Sequence, residues 1–181
     1  AFSWIAAALA RTRFPIGMVN APGQRYHPAI VAQAFGTLEE MFPGRFWAAL
    51  GSGEAMNEHV TGDVWPAKDV RNARLRESVD VIRRLLAGEE VDHDGLVRVH
   101  RARIWTRPAQ PPPLFATAVS PETAEWAAGW ADGLATVAQE PSALRRVVEA
   151  YRSAGGQGPC ILQTHVSWGA DDAEAYATAK E

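Results

Sequence analysis

Five short apolar runs, separated by segments of helical spacing, limit this chain more than any other feature. They are "PIGMVN" (15–20), "RFWAALG" (45–51), "LFATAV" (114–119), "DGLATVA" (132–138) and "CILQTHVSW" (160–168). Each is continuous rather than alternating, the mark of a strand covered on both faces, and such strands belong to parallel sheets. Between them lie "HPAIVAQAFGTLEEMFPG", "KDVRNARLRESVDVIRRLLAGEE", "PETAEWAAGWA" and "PSALRRVVEAYRSAG". The first places Ile30, Val31, Ala34, Phe35, Leu38 and Met41 on one stripe and stops at Pro43 and Gly44. The second does the same with Val70, Leu75, Val79, Ile82 and Leu86 and stops at Gly88. Strand and helix in alternation mean an α/β fold with right-handed crossovers; an open doubly wound sheet and a closed eight-stranded barrel both satisfy the pattern. In either, ligands meet the carboxyl ends of the strands. Those ends read "NAPGQRYHP", "GSGEAMNEH", "VSPE", "VAQE" and "SWGADD".

The rhythm breaks once. "VDHDGLVRVHRARIW" alternates in part from Leu96 to Trp105 around a "DHDG" turn signal, which predicts a small hairpin inserted beside the main sheet. With 181 residues and 47% hydrophobic content, residues 1–181 are expected to form a single domain around one core. Helical spacing is already present at Phe2, Ile5, Ala8 and Leu9 with no capping residue ahead, and "GADDAEAYATAKE" starts a helix at the far end. Both ends read as cuts, so an internal segment of a longer protein is expected. A net charge of -3 gives no general attraction for nucleic acid or an anionic membrane, so neither is an expected partner. With no basic leader and no apolar stretch of about 20 residues, the expected location is the cytoplasm. Cys160 is the single cysteine, which excludes an internal disulfide and a thiolate zinc site; it reads as packing.

"GSGEAMNEH" (51–59) has three readings: phosphate cradle, metal site, or the mouth of a barrel holding a flat ligand. The third glycine of a dinucleotide fingerprint is missing, no "GK[ST]" follows, and the spacing is not that of a zinc helix, so no metal is expected. The glycines fit close approach of the backbone to a bulky ligand, or a plain turn. Glu54, first beyond the turn, is the candidate proton-handling carboxylate, with a helix cap as its plain alternative. Arg25 is expected to pair with an anionic ligand or, more commonly, a neighbouring acid. His27 precedes Pro28 and is held extended as a helix flank. Ser120 fits phosphate binding and ordinary N-capping equally, and Thr136 could face a ligand or its neighbours. Trp47, Trp105, Trp126, Trp130 and Trp168 are expected in the core or in ligand walls.

The succession "GMVNAPGQRYHPAIVAQAFGTLEEMFPGRFWAALGSGEAMNEHVTG", then "WP", "RLRESVDVIRRLLAGEEV" and "ADGLATV", resembles the bacterial-luciferase-like family of flavin and deazaflavin oxidoreductases. It is especially similar to the deazaflavin-dependent glucose-6-phosphate dehydrogenase branch, and within that to a subgroup of flavin-dependent relatives that do not use the deazaflavin. The resemblance implies an incomplete TIM (β/α)8 barrel, approximately strands three to seven, without the strand that bears the family's histidine and tryptophan. It implies a flavin-dependent oxidoreductase or monooxygenase acting on a small organic substrate, with FMN as cofactor and the deazaflavin coenzyme F420 as the alternative. NADH or NADPH would be the reductant, and homodimers are usual in the family. By the same resemblance Glu54 is the catalytic carboxylate, and Gly53 and Asn57 line the cofactor pocket. Met18 and Val19 match a pair forming a cis bulge against the ring, with Ala21 beside it. Ala118, Val119 and Ser120 stand where the dehydrogenase has an alanine and two glycines around the cofactor phosphate. The rival readings are a deazaflavin-dependent dehydrogenase, a non-catalytic flavin-binding protein and an inactive barrel fragment.

Overall fold

A computed structural model describes residues 1–179. Its elements are α1 (Phe2–Arg11), β1 (Ile16–Asn20), α2 (Pro28–Met41), β2 (Phe46–Leu50), α3 (Ala55–Glu58) and α4 (Lys68–Leu86), then β3 (Val91–Asp94) and β4 (Arg98–Ala102). They continue with β5 (Leu114–Thr117), α5 (Pro121–Ala127), β6 (Gly133–Val137), α6 (Pro141–Ser153), β7 (Cys160–Gln163) and α7 (Asp172–Thr178). All five apolar runs are strands of one parallel sheet, ordered β1-β2-β5-β6-β7, and the expected hairpin is a separate antiparallel pair, β3-β4. "CILQTHVSW" is a strand only to Gln163. Of the helix expected over 169–181, Lys180 and Glu181 lie outside the described residues.

Local chemistry sets the ends of these elements. His27 caps α2, its Nδ1 accepting from the Ala29 N–H at 3.2 Å, and Pro28 occupies the first turn where no donor is needed. At the other end of α2 the Gly44 N–H donates to the buried Glu39 carboxylate at 2.5 Å. Arg45, just ahead of β2, donates to the Leu9 and Thr12 carbonyls at the end of α1, satisfying acceptors the helix leaves free.

Parallel register places paired residues on the same face. One face carries Met18, Ala48, Leu50, Leu114 and Ala116, which form a single core with Ile5 and Leu9 of α1, Val31 and Phe35 of α2, and Val79 and Ile82 of α4. A second cluster places Leu134 and Ala118 against Ala124 of α5 and Val147 and Tyr151 of α6. The opposite face carries Gly17, Val19, Trp47, Ala49, Phe115, Thr117, Gly133 and Ala135, none of them in either cluster. Trp47 meets Phe115 edge-on at 5.5 Å, and each ring lies over a glycine. A Cβ on Gly17 would fall 2.1 Å from the Trp47 ring, and one on Gly133 would fall 2.2 Å from Phe115. Helical cover on one face only is the layering of a barrel wall, whereas a doubly wound sheet carries helices on both. The fold is an α/β partial barrel with β1 and β7 as its edge strands. No helix among the described residues is long and apolar enough to cross a membrane.

Two helical stripes differ from expectation. In α2, Ile30 and Met41 are 55% and 57% exposed, while Ala32, Gly36 and Glu39 are buried beside Val31, Phe35 and Leu38. The α2 arc is turned toward α4 and the post-hairpin segment; a Cβ on Gly36 would lie 2.9 Å from the Thr106 carbonyl. In α4, Val70 is exposed while Leu75, Val79, Ile82 and Leu86 are buried as expected.

Candidate active site

The strand ends open into a cavity of about 530 Å³, walled by the segment after β1, the turn after β2, α3, the first turns of α4 and the start of α5. It is built around Gly53. Gly53 has φ +83°, and a Cβ there would lie 3.1 Å from Glu58 Cγ, 3.3 Å from Ala21 Cβ and 3.3 Å from the Trp65 ring. The turn therefore needs glycine both for its backbone and for its space. Arg71 holds it from α4, donating to the Gly53 carbonyl at 3.3 Å while lying 4.4 Å over the Trp65 ring.

Glu54 follows as the N-cap position of α3, but its side chain makes no capping bond. Its Oε2 instead accepts from Asn57 Nδ2 at 3.1 Å, and both residues line the cavity. One turn on, Glu58 is 2% exposed. Its carboxylate accepts the Arg25 backbone N–H at 3.2 Å and pairs with the Arg25 guanidinium at 3.4 Å, tying the segment after β1 to α3. Arg74 donates to Gln24 Oε1 at 2.8 Å in the same wall. Burial holds the Arg74 guanidinium below its ordinary value, with the negative charge of Glu58 acting against that shift.

Of the residues singled out in the sequence, Val19, Ala21, Gly53, Glu54, Asn57, Ala118 and Val119 line this cavity. Met18 does not; it is 7% exposed and packs in the core with Ala48 and Phe35. The cis bulge expected at Met18–Val19 is absent, since no cis peptide bond occurs among the described residues. The physical reason is the ladder: Met18 pairs with Ala48 and Val19 with Ala49 in unbroken parallel register through Asn20. Ser120 is not in the lining either. Its hydroxyl is taken up as the N-cap of α5, accepting from the Thr123 N–H at 3.4 Å. Trp126 lines the cavity and Trp47 and Trp130 are packed, but Trp105 and Trp168 are 79% and 85% exposed, contrary to expectation. "SWGADD" also falls away from the cavity, because β7 ends early and Gln163 is the residue that reaches the lining. His27 is a structural cap whose Nε2 meets the Arg98 carbonyl at 2.7 Å.

The sequence reading passed over Asn20, Lys68, Asn72 and Thr117, all in the lining, and weighed Glu58, also in the lining, only as one of the polar residues of a metal site at the strand mouth. The signal for Glu58 was its spacing four residues after Glu54; its partner Arg25 lies 33 residues away in sequence. Two further features belong to the residues of this concavity. A Cβ on Gly51 would fall 2.4 Å from Thr117 Oγ1, so the backbone is bare where the strand ends meet the cavity. Asn20 Oδ1 and Thr136 Oγ1, both on lining residues, are buried without a hydrogen-bond partner.

Comparison with known proteins agrees with this architecture. The chain is 46% identical over 139 residues to an F420-dependent glucose-6-phosphate dehydrogenase of Intrasporangium calvum, covering 74% of this chain and 42% of that protein. Among solved structures it is similar to an F420-dependent secondary alcohol dehydrogenase in complex with an F420-acetone adduct. That likeness has 37% identity and a TM-score of 0.79, and covers 90% of this chain and 53% of the other. A monooxygenase from Streptomyces bottropensis is 25% identical with a TM-score of 0.75, covering 99% of this chain and 58% of the other. The chain thus spans about half the length of the relatives it matches. The luciferase-like monooxygenase family model matches residues 1–181, and the chain belongs to that family.

Proposed function

We propose that this chain supplies the cofactor-binding wall of an oxidoreductase that uses a flavin-type tricyclic cofactor to transfer hydride to or from a small organic molecule. The carrying observation is the Glu54–Asn57 pair, hydrogen-bonded at 3.1 Å at the edge of a strand-end cavity lined by the bare backbone of Gly51 and Gly53. The names of the relatives move weight from FMN to the deazaflavin, since the dehydrogenases at 46% and 37% identity are both F420-dependent. Glucose-6-phosphate is not carried over as substrate.

When bound, such a cofactor accepts or delivers the hydride. The chain's own residues do the rest. Val19, Ala118 and Val119 would shield its ring from water, and the Gly51–Gly53 backbone would let it approach the strand ends. Glu54 would take or return the substrate proton at its carboxylate, with Asn57 Nδ2 orienting Oε2. Arg25 is engaged by Glu58 and serves the wall rather than an anionic ligand. FMN is the second reading, favoured by Val119 and Ser120: the first is 61% exposed and the second is used as a helix cap, where the resemblance has glycines. The phosphate grip of the dehydrogenases is thereby altered.

Fluorescence titration of the chain with coenzyme F420 and with FMN tests this. Saturable binding of F420, tighter than FMN, is the expected result; FMN binding alone transfers the proposal to the second reading. A folded chain that binds neither overturns it. Glu54→Gln is expected to leave the affinity unchanged and to abolish turnover.

A further inference from the structure

We propose that Lys68 is the anion-binding residue of this cavity, its ammonium pairing with a phosphate or carboxylate group of the bound molecule. The proposal rests on the functional reading above and deepens it, by giving the ligand a charge and a place for that charge. Lysine occurs in the sequence only at 68 and 180, and the remaining basic side chains other than histidine are arginines. The arginines around the site are taken up by the fold: Arg25 pairs with Glu58, Arg71 donates to the Gly53 carbonyl, Arg74 to Gln24 and Arg83 to Asp132. Arg25 and Lys68 are the cations of the cavity lining. Arg25 is neutralised by Glu58, whereas Lys68 forms no ion pair among the described residues. Lys68 is also exposed, so a molecule entering the cavity can reach its ammonium.

The fold itself gains little from a positive charge at this position. Lys68 is the first residue of α4, the end at which a helix favours negative charge. Glu122, in the first turn of α5, is near enough to feel the ammonium. Its carboxyl is held below its ordinary value first by its own backbone N–H, then by the Ser120 hydroxyl, and in smaller part by Lys68. That carboxylate is not in the cavity lining, so the lysine's charge is left to the cavity. Asn72 stands one turn along α4 on the same side as Lys68, and Thr123 stands on α5; both line the cavity and carry donors. A flexible ammonium with three donors, accompanied by an amide and a hydroxyl, suits an anion with several oxygens. Glu54 and Asn57 belong to the α3 wall of the same cavity. A ligand that presents its reacting centre to that wall would carry its negative charge toward α4 and α5. The anion has two possible sources, the phosphate of the cofactor or an anionic group on the substrate, and they are separable by probe.

The test compares the wild type with Lys68→Met, which keeps an unbranched stem and drops the charge, and with Lys68→Arg, which keeps the charge. Fluorescence titrations use FMN and riboflavin, which differ by the phosphate alone. If the deazaflavin is what binds, F420 and its phosphate-free deazaflavin core replace that pair. Inorganic phosphate is read separately, by its protection of Lys68 against reductive methylation, followed by peptide mass. With the anion on the cofactor, the wild type prefers the phosphorylated form about tenfold, Lys68→Met abolishes the preference and Lys68→Arg retains most of it. With the anion on the substrate, the two forms bind alike in all three proteins and inorganic phosphate protects Lys68 in the riboflavin-loaded wild type. Either effect weakens as salt is raised. A preference that survives in Lys68→Met overturns the proposal, and so does equal binding of the two forms with no protection by phosphate. The melting temperature of Lys68→Met is expected to match that of the wild type; a fall of several degrees also overturns the proposal, because Lys68 would then be a structural residue. Wild-type protein that binds no flavin and no deazaflavin overturns the functional reading itself, and methylation of the unloaded protein with and without phosphate then judges Lys68 alone.

Discussion

Replacing Gly53 with alanine isolates what the turn after β2 contributes. Two costs are present. The backbone sits at φ +83°, where an L side chain costs about 1–2 kcal/mol. The new methyl would also lie 3.1–3.3 Å from Glu58 Cγ, Ala21 Cβ and the Trp65 ring. None of the three yields easily: Glu58 is clamped by Arg25, Ala21 follows the end of β1, and Trp65 is stacked under Arg71. Overpacking of that kind adds about 1–2 kcal/mol. Gly62 supplies the control, since it has φ +80° with nothing within 4 Å of a built Cβ. Gly62→Ala should lose only the backbone cost and Gly53→Ala about twice as much. At about 2–4 °C per kcal/mol for a chain of this size, the melting temperature falls by about 2–8 °C in the first and by about 4–16 °C in the second. Thermal denaturation of the three proteins side by side, with cofactor titration of each, is the assay. Equal losses in the two variants would refute the packing argument. An intact affinity in Gly53→Ala would refute the claim that this turn shapes the cavity.

Glu58→Gln keeps an acceptor for the Arg25 N–H and removes the charge that pairs with the guanidinium. Because Arg25 is 36% exposed and screened, the expected cost is only about 1 kcal/mol, with a several-fold loss of cofactor affinity as the two walls loosen; wild-type melting and affinity would show the pair to be idle. Glu77 ties α4 to the hairpin, meeting His93 Nε2 at 2.9 Å and accepting the Val97 N–H at 3.2 Å. Burial raises its pKa, but hydrogen bonds from His93, Val97 and Leu96 together outweigh burial and hold it below the ordinary 4.5. A depressed folded value means that its stabilisation is complete above 4.5 and is lost as pH falls through the folded value. Acid titration of the melting temperature should therefore show an advantage over Glu77→Gln that vanishes in that window; a pH-independent difference would rule the linkage out.

The order of elements was legible because each signal is local. A strand needs only a short apolar run, a helix its stripe and its stops, and the "DHDG" turn announces itself, so the five strands and the hairpin fell where expected. The mouth of the site was legible for the same reason, as glycines and polar residues just beyond a strand. The rest depends on partners distant in sequence. Periodicity counts apolar residues but not their neighbours, so it chose Ile30 and Met41 over the buried Ala32 and Gly36, which α2 needs for close approach. Ser120 and Asn20 show the limit most clearly. The letters of Ser120 fit a cap and a ligand site alike, and only its contact with the Thr123 N–H assigns it to the cap.

By itself, then, the sequence determined an α/β chain of parallel strands with a polar mouth at their carboxyl ends, because backbone propensity and hydrophobic spacing act within a few residues. Tertiary structure decided that the helices cover one face, that Met18 turns into the core, that Glu58 meets Arg25 across 33 residues, and that Asn20 is left unpaired. Each of these is a statement about which side of a sheet a group faces and what stands opposite it, and that is settled only when separate segments pack together.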